Sequence, residues 1–172
     1  MENKKISCKK GYTSIVVDYQ SPYSQEEIWD FLVHPKYAVE FTKSPCYYTE
    51  IGEDFELKKG NKWMEIHTGE DCKGEVVSNK ITKITPFNYF QIVRHQSGVK
   101  NIITKILTQN EKGTNITEKH SFSISFKDFK WKHLVYWLFL YSGIFAKIAV
   151  DLEGDEYWFQ KMEEKIRDTF YK

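Results

Sequence analysis

Signatures of dedicated chemistry are scarce in this 172-residue chain. It has three cysteines, Cys8, Cys46 and Cys72, with no CxxC pair among them. An odd, scattered set of this kind suits a reducing compartment better than a disulfide framework. No HxH, HxxxH or HExxH pattern occurs, so no metal-ligand spacing is present and neither a metal nor another cofactor is expected. There is no G-x-S-x-G elbow, and Gly52, Gly60, Gly69 and Gly74 mark turns and bends, not a phosphate cradle. Charge of one sign is also lacking: 25 basic residues face 24 acidic ones, a formal net charge of +1. With no basic excess to neutralise a row of phosphates, nucleic acid is not an expected partner. Repeats, low-complexity tracts and linkers are absent, which leaves one domain over residues 1–172.

Long apolar runs are missing too. The uncharged stretch Leu134 to Ala146 is shorter than the roughly 20 residues a membrane span requires. Burial inside the protein is the expectation for it, with peripheral contact between a lid at 131–150 and a membrane as the alternative. The lysine-rich start (Lys4, Lys5, Lys9, Lys10) is not followed by an apolar core, so no secretory leader is read there. Residues 1–10 are expected to be a frayed tail, and the cytoplasm is the expected compartment.

Aromatic residues, in contrast, are plentiful. Eleven Tyr, twelve Phe and five Trp make up 16% of the chain. They serve either a large aromatic core or the apolar wall of a binding cavity.

The order of elements is readable. Thr13 to Gln20 is a strand by its β-branched and aromatic content. Ser24 with Glu27 three residues on is a capping box, and Ile28, Phe31 and Leu32 follow at helical spacing. His34-Pro35 ends that helix, and Pro35 opens a second short one through Phe41. Six strands follow, over 46–51, 61–68, 74–85, 88–96, 99–109 and 114–126. The short turns between them make an antiparallel meander. In the last strand Ile116, Glu118, His120, Phe122, Ile124 and Phe126 share one face. The tail is a helix whose apolar stripe runs Ile148, Leu152, Phe159, Met162, Ile166 and Phe170, interrupted by Asp155. Such a stripe covers the open face of a curved sheet, and a curled sheet leaves a cavity that a helix does not completely fill.

One strand, a bent helical pair, six antiparallel strands and a long C-terminal helix is the order of the helix-grip fold. The chain resembles the START/polyketide-cyclase-like (SRPBCC) superfamily along nearly its whole length. Three segments carry the resemblance: Ser24 to Leu32 with His34-Pro35, Ile81 to Pro86, and Lys161 to Phe170. His34 departs from the acid usual before that proline, and the 131–150 region is unusually apolar. The resemblance implies an α+β fold with about seven strands around the helix, and an internal pocket. It does not identify the contents of that pocket.

Within this frame the expected function is binding of a small hydrophobic molecule, lipid-, polyketide- or quinone-like. The expected lining is His67, Phe90, Ile92, Arg94, His95, Phe122, Ile124, Trp137, Tyr141, Asp155 and Phe159. The enzymatic alternative is a cyclase, dehydratase or isomerase with His120 and Glu118 as acid and base. Asp155 either turns to solvent at a kink made by Gly154 or anchors a ligand. The third reading is an interaction module using 131–150, and the molecule is expected to be a monomer or homodimer.

Overall fold

The computed structural model describes residues 5–41, 47–49, 51, 55–68, 74–96, 98–125, 131, 134–144 and 152–171. The helices and strands follow the order read from the sequence. Two of them, β1 (Ile6–Lys10) and β2 (Ser14–Ser21), precede the helical pair α1 (Gln25–Val33) and α2 (Pro35–Glu40). Then come β3 (Tyr47–Thr49), β4 (Lys62–His67), β5 (Val76–Thr85), β6 (Tyr89–Gln96), β7 (Val99–Asn110) and β8 (Gly113–Ile124). The chain closes with α3 (Leu134–Tyr141) and the long α4 (Leu152–Phe170).

The strands form one antiparallel sheet in the order β1-β2-β8-β7-β6-β5-β4-β3. It has the seven expected strands and one more. Residues 6–10, expected to fray, instead pair with β2 from Ile6↔Tyr19 to Lys10↔Ile15. The five-residue edge strand has Cys8 half-buried and packed against the core, and that apolar contact holds it on the sheet. Cys46 and Cys72 lie outside the described residues.

Local chemistry explains the element boundaries. The Ser24 side chain accepts from the Glu27 amide while the Glu27 carboxylate accepts from the Ser24 amide. This reciprocal cap satisfies two amides the helix itself leaves unpaired. His34 is extended (φ −74°, ψ 125°), as a residue before proline prefers, and this produces the bend between α1 and α2. In β5 the register shifts between Ile81 and Lys83, a bulge that bends the sheet across its middle.

The core sits on the concave face. Ile15, Val17, Tyr19, Ile81, Phe90, Ile92, Ile103, Leu107 and Ile116 from the sheet meet Ile28, Phe31 and Leu32 of α1. Phe159, Met162 and Ile166 of α4 close it, with Phe159 stacked on Tyr19 at 4.2 Å. Asp155 interrupts the stripe within a helix that is continuous from Leu152 to Phe170, and its side chain is half-buried.

The apolar segment after β8 departs from expectation. Instead of being buried, α3 exposes Leu134, Val135, Trp137, Leu138, Phe139 and Tyr141, and among its described side chains only Leu140 is buried. No described helix is long and apolar enough to cross a membrane.

Candidate functional site: a polar-walled cavity between sheet and helix

Cross-strand register arranges the concave face in rows. One row runs Phe90, Lys105, Glu118 and Val17, each paired with the next. The adjoining row runs Ile81, Ile92, Ile103, His120 and Ile15. A third places Asn79, Arg94 and Asn101 side by side. Apolar and polar groups therefore alternate over a single surface, and α4 passes above it.

Between them lies a cavity of about 440 Å³. Its apolar wall comes from Leu32, Phe90, Ile92, Ile103, Trp158 and Phe159. Arg94, Asp155, Glu118 and His120 also line it, so seven of the residues singled out from the sequence meet in one place.

Two ionic clusters form its polar walls. In the first, Lys105 Nζ lies 3.2 Å from Glu118 Oε2, and His120 Nε2 lies 2.9 Å from Glu118 Oε1. Asn101 Nδ2 sits 3.1 Å from His120 Nδ1, so both imidazole nitrogens are engaged by protein groups. Lys105 Nζ also donates to the Leu32 carbonyl (3.2 Å) and lies 5.2 Å from the Trp158 ring centre. Burial alone would raise the Glu118 carboxyl, but Lys105 and His120 outweigh it and hold the group down to about 2. In the second cluster Arg94 Nη1 lies 2.9 Å from Glu65 Oε2. The Trp63 indole and the Asn79 amide both donate to Glu65 Oε1 at 3.1 Å.

Other residues named from the sequence lie elsewhere. His95 occupies the alternate position to Arg94 on β6, so the two-residue period directs them to opposite faces. His95 Nδ1 lies 3.0 Å from Ser125 Oγ and does not line the cavity. His67 is buried at the end of β4, beyond the lining. Phe122 stacks on His120 (6.1 Å between ring centres) as a support behind the wall, and Ile124 is half-buried at the end of β8. Trp137 and Tyr141 face each other on the exposed α3, 5.1 Å apart, and neither lines the cavity. Phe126 lies outside the described residues.

The structure adds Glu65, Trp63, Lys105 and His34 to the lining. The first two share the alternation of β4 with His67, so the signal that marked His67 also marked them. Lys105 falls between Ile103 and Leu107 in β7, the one cation on the face of that strand that also carries Asn101. His34, first met as a departure from the family pattern, presents its ring to Phe55 edge-on at 5.8 Å. Burial, and then the charge of Lys36, lower its pKa and keep it neutral. Among the described residues no group of three or more His, Cys, Asp or Glu side chains is arranged to hold a metal ion.

No family model and no curated protein matches the sequence. Solved structures do share its fold. One from Rhodobacter sphaeroides aligns with a TM-score of 0.68 at 12% identity, over 95% of this chain and 98% of its own. Protein Ms6760 from Mycobacterium smegmatis gives 0.64 at 13% identity, over 95% and 99%. A protein of unknown function from Staphylococcus aureus gives 0.61 at 14% identity, over 99% and 100%. At such identities the likeness extends to the fold alone, and the chain has the α+β architecture of a curved antiparallel sheet closed by a long C-terminal helix.

Proposed function

We propose that this protein is a noncovalent binder of a small, mostly apolar molecule held between the sheet and α4, as the resemblance to the START/polyketide-cyclase-like superfamily implies. The cavity is the observation that carries this reading: about 440 Å³, with an apolar wall and charged side chains clustered at defined places on it. Ligand sites typically measure about 300–1,000 Å³ and are built in this way.

The polar walls narrow the ligand class. Arg94 and Lys105 each already face a carboxylate, Glu65 and Glu118, and Asp155 adds a third. Both of these cations among the described lining residues are thus already matched by carboxylates, which favours a neutral ligand oriented by a hydroxyl or carbonyl. The acid–base alternative has its pair in contact, but Glu118 stays ionised far below neutral pH and both nitrogens of His120 are engaged. A general base needs a pKa near the working pH, so the geometry favours His120 as an orienting dipole.

Native and denaturing mass spectra of the purified protein test the proposal. The expected result is a co-purified neutral apolar molecule that is lost when Ile103→Trp fills the cavity. A protein that is empty, and that takes up no long-chain alcohol, ketone or quinone on titration, overturns it.

A further inference from the structure

We infer that α3 and the neighbouring β1–β2 turn form a docking surface for an anionic lipid bilayer. The inference stands on the outer surface and does not depend on what fills the cavity. On a helix, consecutive residues are spaced about 100° apart, so the exposed side chains at 134, 135, 137, 138, 139 and 141 fan over somewhat more than half of the helix circumference. A helix that docks in a protein groove shows one apolar stripe and a polar back. Here every exposed side chain described from Leu134 to Tyr141 is apolar or aromatic, so the outward arc carries no polar edge, and Leu140 is buried against the protein. Such a broad apolar face suits the acyl boundary of a membrane. Trp137 and Tyr141 are residues that settle at the headgroup level.

Charge supports the same partner. Tyr12 in the β1–β2 turn is 58% exposed, and Gly143, just after α3, lies against it. The strand entering that turn ends in exposed Lys9 and Lys10. Ammonium groups on the strand that leads into this turn complement a negatively charged headgroup layer. A second copy of the chain fits less well, because a stable interface uses roughly 20–30 residues a side and this patch is one two-turn helix and a turn tip.

Co-sedimentation of the full chain with vesicles is the test. Vesicles of phosphatidylcholine with about a third phosphatidylserine are compared with pure phosphatidylcholine, by a choice of composition that isolates the charge effect. The expected result is binding to the anionic vesicles that weakens with salt, because the lysine contribution is screened. Leu138→Glu with Phe139→Glu, both at exposed positions, should reduce partitioning about tenfold or more while circular dichroism and the melting temperature stay unchanged. Lys9→Glu with Lys10→Glu should abolish the preference for anionic over neutral vesicles. Failure to bind either vesicle, binding indifferent to the α3 substitutions, or a solution dimer that those substitutions dissociate would each overturn the inference.

Discussion

Glu118 shows how an ordinary carboxylate becomes a fixed part of a wall. Its two oxygens are occupied by Lys105 and His120, and it is only 18% exposed. Its pKa falls from an ordinary 4.5 to about 2 on folding, so its ionisation stabilises the native state at neutral pH. The contribution is complete above the unfolded value and is lost as pH drops from about 4.5 through about 2. Glu118→Gln leaves Lys105 buried without its counter-charge and should cost about 3 kcal/mol in urea unfolding at pH 7. The same comparison near pH 2 should show most of that difference gone, since the folded carboxyl is then about half protonated and the unfolded one almost fully so. An equal deficit at both pH values would mean that shape rather than charge makes Glu118 valuable.

Among the elements, the β7–β8 hairpin and α1 carry the clearest local instructions. Gly113 closes the hairpin at φ +113°, and a Cβ there would lie 2.3 Å from the Ser21 carbonyl oxygen. No nearby side chain can rotate away to make room, because the clash is with backbone. Gly113→Ala should therefore destabilise the fold by about 2 kcal/mol or more, seen as a lower melting temperature. Ser24→Ala removes one half of the capping box and should cost about 1 kcal/mol. Both sites were visible in the sequence, one as a turn glycine between long strands and the other as a Ser with Glu three residues later. The fate of α3 was not: an uncharged run of that length favours a buried helix, yet α3 is exposed, because local pattern carries no information about what surrounds it.

The molecule as a whole is a sheet that bends around a helix without filling the space beneath. The Tyr19–Phe159 stack and the buried Met162 and Ile166 pin the C-terminal part of α4 to the sheet. Gly154 and Asp155, further toward the N-terminal side of α4, border the cavity instead. A ligand that binds only the folded state raises stability by mass action. Saturation with a neutral apolar molecule should thus raise the melting temperature of the wild type by a few degrees. Ile103→Trp should show no such rise while unfolding as cooperatively as the wild type.

Chain order, the seven strands, the cap at Ser24, the break at Pro35 and the burial of Phe159, Met162 and Ile166 in α4 all followed from local chemistry, whereas Phe170, expected in the same stripe, is exposed because it lies at the helix end. Each rests on neighbours within a few residues, through alternation, helical spacing, proline sterics or a side chain reaching the nearest amide. Cavity membership depended on contacts far apart in the chain. Glu118 and His120 were recognised together because they lie two apart on one strand, whereas Glu65 with Arg94, and Lys105 with Glu118, meet only through strand pairing. His95 was misplaced because a histidine can be recognised from sequence before its face is known. The outward position of α3 likewise emerged only when β8 and the β1–β2 turn were seen to contact a small part of it. Side-chain periodicity tells which residues share a face; only the folded sheet tells what that face encloses.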